Sequence, residues 1–471
     1  MKCSKETMLH WMEENGQPIY EMAQELWENP ELGMEEYDAS RLLTEFLKQN
    51  GFSVETGVSG MPTAFVAAWG EGKPVIGFSS EFDALPGLSQ DNTVTVQKPL
   101  VEGAPGHGCG HNMIAVVGIF AAVALKHRME EEGLPGTLKI FGTPAEELCI
   151  GKPYMARAGL FEGLDAVVDW HPYSGNMAGA KDCNAYFNVK YHFKGKAAHG
   201  SAPWLGRSAL DGGMLMGHAI EMLREHVHPG YTNSATTINY SFPDVNRSYA
   251  VVVPDLCDLW CVGRAKDVEI VADIMERIDR CAEGAALATD TTVERELITA
   301  THDQIPNLTL GQAVYENFKE IGPPDFTPEE KEVIYQLQET LQTGHKAYAP
   351  EIPPVKLDSQ PVSDASEYSW FAPCTLFNVG LTPDPAMGWH NWAVVRLTGS
   401  SHARKVILTA AKVAAATAYD LVTQPELLAK AQAEFRERLG DRQFGNLLGD
   451  AKPKIDINRV EMNHYRKKTE K

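Results

Sequence analysis

Basic residues are scarce in this chain. Among 471 residues, 42 Lys and Arg face 63 Asp and Glu, for a formal net charge of −21. Binding a phosphate backbone needs clustered Lys and Arg, so nucleic acid is excluded as a partner. The basic stretch His464 to Lys471 is too short to alter that and reads as a solvated end. No run of about 18 or more apolar residues is present, which excludes a membrane-spanning helix. No apolar secretory region follows Met1-Lys2-Cys3-Ser4-Lys5-Glu6, so export is not expected. The eight cysteines show no paired spacing and read as reduced thiols, which points to the cytoplasm. Internal repeats and low-complexity tracts are missing as well. The length suffices for roughly two or three domains with a large buried interior.

What the chain does have is a set of short apolar runs that end in polar side chains. Pro74 to Ser80 ends at Glu81-Phe82-Asp83, and Thr137 to Thr143 ends at Pro144-Ala145-Glu146-Glu147. Asp165 to Asp169 ends at Trp170-His171, and Thr375 to Gly380 is followed, after a Pro-rich loop, by Trp389-His390. Short apolar runs between helical patterns read as buried parallel strands, and sites in open α/β sheets gather at the carboxyl ends of such strands. The densest group is Cys109-Gly110-His111 within GHGCGHNM. Side chains alternate along an extended segment, so thiolate and imidazole fall on the same side. Both are good ligands for a divalent metal of intermediate softness, and the glycines at 106, 108 and 110 allow the backbone to bend around an ion.

Met8 to Asn50 reads as two helices broken at Asn29-Pro30, with Gly51 as a stop. Strand and helix patterns then alternate to about residue 184. The helix after Asn112 is apolar nearly all round and must be buried. Between 185 and 305 the texture changes. Ala185 to Lys194, Thr236 to Ser241 and Asp258 to Arg264 alternate like half-buried strands, with helical stretches at Ser208 to His226 and Val268 to Ala288. The expected architecture is therefore α/β: a mixed-sheet catalytic domain of residues 1–184 and 306–471, interrupted by a smaller α+β domain of residues 185–305.

The stretches EFDALPGLSQ (81–90), GHGCGHN (106–112), GTPAEE (142–147), WHP (170–172), KGKAAHGSAP (194–203) and SDASEYSW (363–370) carry a resemblance. In that order they resemble the dimetal aminoacylase and carboxypeptidase family, in its Cys-ligand amidohydrolase branch. The resemblance implies a cytoplasmic hydrolase that cleaves the amide of an N-acyl or N-aroyl amino acid. It also implies that the interrupting domain serves as lid and dimerisation surface, in a homodimer or a heteromer with a homologous subunit. Cys109, His111, Glu147, His171 and His390 become the ligands of two divalent metal ions, Mn2+ or Zn2+, with Glu146 as general base. Asp83 is expected to orient a ligand, and His199 to donate a hydrogen bond to the oxyanion, often across a dimer interface. A dipeptidase, a general N-acyl-amino-acid hydrolase and a metal-free partner of a homologous hydrolase are the alternatives.

The chain departs from the family in two places. Asn112 stands where the branch commonly has Asp, and Val251 where relatives commonly have the Asn that meets the substrate carboxylate. Arg207, Arg247, Arg264 and Asn239 are candidates to replace that contact. Of the remaining histidines, His107 is singled out, because it lies two residues before Cys109.

Overall fold

The computed structural model describes residues 2–231, 234–246, 249–348 and 351–469. Its main strands are β1 (Ser53–Thr56), β2 (Phe65–Glu71), β3 (Val75–Glu81), β4 (Gly136–Thr143) and β5 (Ala166–Ser174). Next come β6 (Ala185–Lys194), β7 (Thr237–Val245), β8 (Leu256–Ala265) and β9 (Thr292–Thr301), then β10 (Cys374–Thr382). The central sheet has the order β1-β2-β4-β3-β5-β10. β4, β3, β5 and β10 run parallel, while β2 and β1 add an antiparallel edge. Every residue of β10 is buried, as a strand covered on both faces requires.

One face is covered by helices Gln17–Glu28, His111–Glu132, Leu308–Ile321 and Ser401–Thr423, which share a single apolar core with the sheet. Helix His111–Glu132 is buried without a break from His111 to Leu125. It lies so close to β3 that a Cβ on Gly118 would stand 2.3 Å from the Ser79 carbonyl oxygen. Helices His111–Glu132 and Ser401–Thr423 are long and apolar enough to cross a membrane by length and composition. Their apolar windows are 83% and 78% buried inside the protein, so here they are core helices.

The inserted segment forms its own antiparallel sheet, β7-β8-β6-β9, with helices Ala209–Arg224 and Val268–Thr289 packed on it. Its apolar core runs on into Phe141, Tyr154 and Tyr368 on the second face of the central sheet.

Three local expectations are corrected. The N-terminal region holds three helices, not two, because Gly16 separates Lys2–Asn15 from Gln17–Glu28 before Tyr37–Gln49 begins. β5 continues past Asp169 to Ser174, since pairing with β10 carries on through His171 opposite Asn378. β6 is an inner strand of the inserted sheet, whereas β7 is an edge that extends to Val245.

Candidate metal centre

The carboxyl ends of the parallel strands meet at one rim of the central sheet. β3 ends in Glu81 and leads to Asp83, β4 leads to Glu146 and Glu147, β5 carries His171, and His390 follows β10. Gly110, at φ 83, turns the chain from the loop that carries Cys109 into the helix that begins with His111.

Cys109 Sγ lies 3.3 Å from His171 Nε2 and 3.4 Å from His390 Nε2. His390 Nε2 is 3.4 Å from Glu147 Oε2. His111 Nε2 is 3.7 Å from both Glu81 Oε2 and Glu146 Oε2, and 3.9 Å from Glu147 Oε1. Two donor sets result, Cys109 with His111 and His171, and Cys109 with Glu147 and His390, each with ligand atoms within 4.8 Å of one another. Cys109 is common to both. A further set joins Glu81, His111 and Glu146.

Neighbouring groups fix how these donors point. Asp83 Oδ1 holds His111 Nδ1 at 2.9 Å, and Asp83 Oδ2 accepts the Glu147 N–H at 3.1 Å. His171 Nδ1 donates to its neighbour, the Pro172 carbonyl oxygen, at 2.6 Å, which leaves the Nε2 lone pair facing Cys109. Glu146 and Glu147 occupy a single tight turn flanked by Ala145 and Cys149, both left-handed at φ 54. Such backbone costs on the order of 1–3 kcal/mol per residue and persists only where surroundings enforce it. Buried Glu36 does so, accepting the Ala145 N–H at 2.9 Å and the Thr63 hydroxyl at 2.9 Å.

These donors fit divalent cations. His111 Nε2 and Glu147 Oε1 are buried and have no hydrogen-bond partner, a state that costs about 1–3 kcal/mol per atom unless a cation fills it. Burial and the nearby His111 hold His171 down to about 4 and also lower His390, so both imidazoles are neutral, as ligation needs. Burial raises the Glu147 carboxyl to about 8, and burial with Glu81 nearby raises Glu146. Burial and Glu147 likewise push the Cys109 thiol up. Carboxylates and a thiol are thus crowded where positive charge is short.

Beneath them lies Lys152, fully buried, 2.7 Å from Glu81 Oε1 and 2.5 Å from Asp364 Oδ1. Burial alone would neutralise it, but Asp364 and Glu81 keep it charged. Lys152 and His111 in turn outweigh burial at Glu81 and hold its carboxyl below the usual range.

A cavity of about 360 Å³ opens above the cluster, walled by Tyr173, Met177, Val362, Leu376 and Trp389. Trp389 stacks on Tyr173 with centroids 5.6 Å apart. Ser363 donates to Glu146 Oε1 at 2.8 Å, while its own oxygen accepts the Ala365 N–H.

The structure thus gathers Asp83, Cys109, His111, Glu146, Glu147, His171 and His390 in one place. His199 is exposed and lies outside the cavity lining. Its Nδ1 accepts the Ser201 N–H at 3.1 Å, so Nε2 carries the proton and is a free donor. His107 is a packed residue, bonded through Nε2 to the Leu26 carbonyl at 3.1 Å. Asn112 donates to the carbonyls of Ala23 and Thr398, bonds that an acceptor-only carboxylate could not make. Arg207 pairs with Asp290, Arg264 lies over Tyr186, and exposed Asn239 sits on edge strand β7; none lines the cavity. Arg247 lies outside the described residues. Sequence reasoning missed Glu81 as a cluster member, together with Ser363, Lys152 and Lys181. Only Glu81 left a signal, as the last residue of an apolar run.

The sequence profile of peptidase family M20/M25/M40 matches residues 77–420. The chain belongs to this family. It is accordingly an amidohydrolase, and the family resemblance carried by its motifs holds. One of the subunits of p-aminobenzoyl-glutamate hydrolase from Escherichia coli (strain K12) is 34% identical, over 90% of this chain and 93% of its own length. Xaa-Arg dipeptidase of Mus musculus is 30% identical, over 92% of this chain and 93% of its own. A dinuclear metal binding peptidase from the M20 family, from Bacillus subtilis, superposes with a TM-score of 0.52 at 18% identity, over 90% of this chain and 99% of that one. That last likeness is one of fold.

Proposed function

We propose that the chain hydrolyses the amide of an N-acyl or N-aroyl amino acid at a two-metal centre, with p-aminobenzoyl-glutamate as the leading substrate. The observation that carries this reading is the meeting of both donor sets with Glu146 at the floor of an apolar-walled cavity. Cys109, His111 and His171 would hold one cation and Cys109, Glu147 and His390 the other. When bound, two cations polarise the amide carbonyl and lower the pKa of water. The mixed thiolate, imidazole and carboxylate set suits Zn2+ or Mn2+.

Glu146 takes the proton of the attacking water and passes it to the leaving amine nitrogen. Ser363 fixes one of its oxygens and leaves Oε2 facing the cluster. A carboxyl pushed upward by burial suits that work near neutral pH. Asp83 keeps the His111 ring aimed inward. The free Nε2–H of His199 is the oxyanion donor, delivered from the lid of a second protomer.

Residues 185–305 act as that lid and as the dimer surface. Helix Ala209–Arg224 leaves Met214, Leu215 and Met222 exposed, and edge strand β7 beside it exposes Phe242. The Escherichia coli relative is named as one of several subunits, so a heteromer with a homologous chain is the variant to test beside a homodimer. The free thiols among the described residues support the cytoplasm as location, which fractionation of expressing cells tests.

The Mus musculus relative favours a second reading, a dipeptidase. A hydrolysis screen of N-acyl and N-aroyl amino acids beside dipeptides, with Mn2+ or Zn2+ added, separates the two. Turnover of aroyl-glutamates ahead of dipeptides supports the first reading; turnover confined to dipeptides ends it.

A further inference from the structure

Lys181 is the cation that the cavity keeps for itself. Among the described residues that line it, Lys181 alone bears a Lys or Arg side chain. The residue is 7% exposed, on the short strand Ala180–Asp182. Its Nζ donates to Asn378 Oδ1 and stands 5.7 Å from the centre of the Tyr173 ring. Among the described residues no carboxylate lies within ion-pair distance of it. Lys152 nearby is bracketed by two carboxylates and so needs nothing further. An ammonium has three protons to donate, and Asn378 takes one. Burial accordingly pulls Lys181 down to about 8.

Burying a cation without a counterion is unfavourable unless something else repays it. A purely structural lysine would gain from replacement by an apolar residue. This one instead faces open space, on the wall that Tyr173, Met177 and Trp389 make apolar. Its hydrogen-bond partner is fixed: Asn378 Nδ2 donates to the His171 carbonyl at 2.9 Å, which leaves Oδ1 turned to Lys181. The cation is thereby held at a set place relative to the strand that carries His171.

We propose that Lys181 is the anion-recognition residue of this cavity, receiving a carboxylate of the substrate while the apolar wall takes the substrate's body. This assignment rests on the hydrolase reading above. It departs from the expectation that lid residues Arg207, Arg264 or Asn239 hold the carboxylate, since none of them reaches the cavity lining.

Binding and turnover are measured separately. The binding probe is N-(4-aminobenzyl)glutamate, in which a methylene replaces the amide carbonyl so that nothing can be hydrolysed, together with its two mono-amides. Affinities are taken by titration calorimetry on metal-loaded protein and on Lys181→Met, whose side chain has nearly the same length. Lys181→Gln is carried alongside, and melting curves verify that both variants fold. In the unaltered protein, amidation of one of the two carboxylates should weaken binding by about 10²-fold, and in both variants that difference should fall below about threefold. The proposal is overturned if the difference persists in the variants, if neither amidation matters in the unaltered protein, or if the diacid does not bind. Turnover of the matching N-aroyl-glutamates is the separate readout. Carboxylate-dependent binding with no hydrolysis would remove the enzymatic reading and leave Lys181 as assigned.

Discussion

Replacing Lys152 by Met tests the buried charge cluster beneath the centre. The ammonium is fully buried, 2.7 Å from Glu81 and 2.5 Å from Asp364. Methionine nearly preserves length and volume, so the change leaves no cavity and removes only the charge and its donors. Glu81 would then be buried without its main counterion, close to Asp169, Glu146 and Asp364. Breaking one side of a buried pair costs about 3–5 kcal/mol. At about 2.1 cal/mol/K per residue, a 471-residue chain that unfolds as one unit loses about 1 °C per kcal/mol, so Tm should fall by roughly 3–5 °C at pH 8. The penalty should shrink as pH falls toward 5, because an unpaired buried Glu81 can then take up a proton. Adding Asp364→Asn should recover part of the loss, since it removes a second uncompensated carboxylate. Scanning calorimetry at both pH values measures all of this. A Lys152→Met protein that melts within 1 °C of the unaltered chain at pH 8 would refute the claim that this lysine holds the cluster together.

Cys109→Ser replaces a thiolate common to both donor sets by a poor ligand. Metal content and hydrolysis should fall together, and full occupancy with normal rate would remove Cys109 from the centre. His302 is held protonated by Glu367 at 3.0 Å, against the effect of burial. A raised histidine stabilises the fold fully below its unfolded pKa of about 6.5, and that stabilisation is lost as pH rises through the folded value. Glu367→Gln keeps an acceptor for the His302 backbone N–H, so thermal melts should show a larger cost at pH 6 than at pH 9; equal costs would count against the ion pair. Gly118→Ala forces a Cβ to within 2.3 Å of the Ser79 carbonyl oxygen and should destabilise by about 1–3 kcal/mol in denaturant titration, whereas an unchanged midpoint would show that the helix can move away.

Strand ends were the most legible part of this sequence. Apolar runs stopping at Asp83, Glu146 and His171 announce parallel strands with a common rim, because burial on both faces leaves no polar residue until the strand emerges. The inserted sheet was equally readable, since β6 and β8 alternate as half-buried strands do. Long-range pairings were not. Nothing near Lys152 indicates that it meets Asp364, which is 212 residues away. Nothing in Ala180-Lys181-Asp182 tells which of two charged residues turns inward. The length of β5 escaped because pairing with β10, rather than local pattern, carries it through Pro172 to Ser174. The lid arginines looked suited to a carboxylate by residue type, yet Arg207 is engaged with Asp290, on the protein's surface.

The division of labour between Glu146 and Glu147 is the centre of the account. Glu146→Gln preserves size and the Ser363 contact while removing the proton acceptor. Metal content and single-turnover rate, measured on the same sample with an N-aroyl-glutamate, should show two metal ions per chain retained and the rate reduced by about 10²–10⁴-fold. Loss of metal would mean that Glu146 is the ligand, and an unchanged rate would contradict its place as the base.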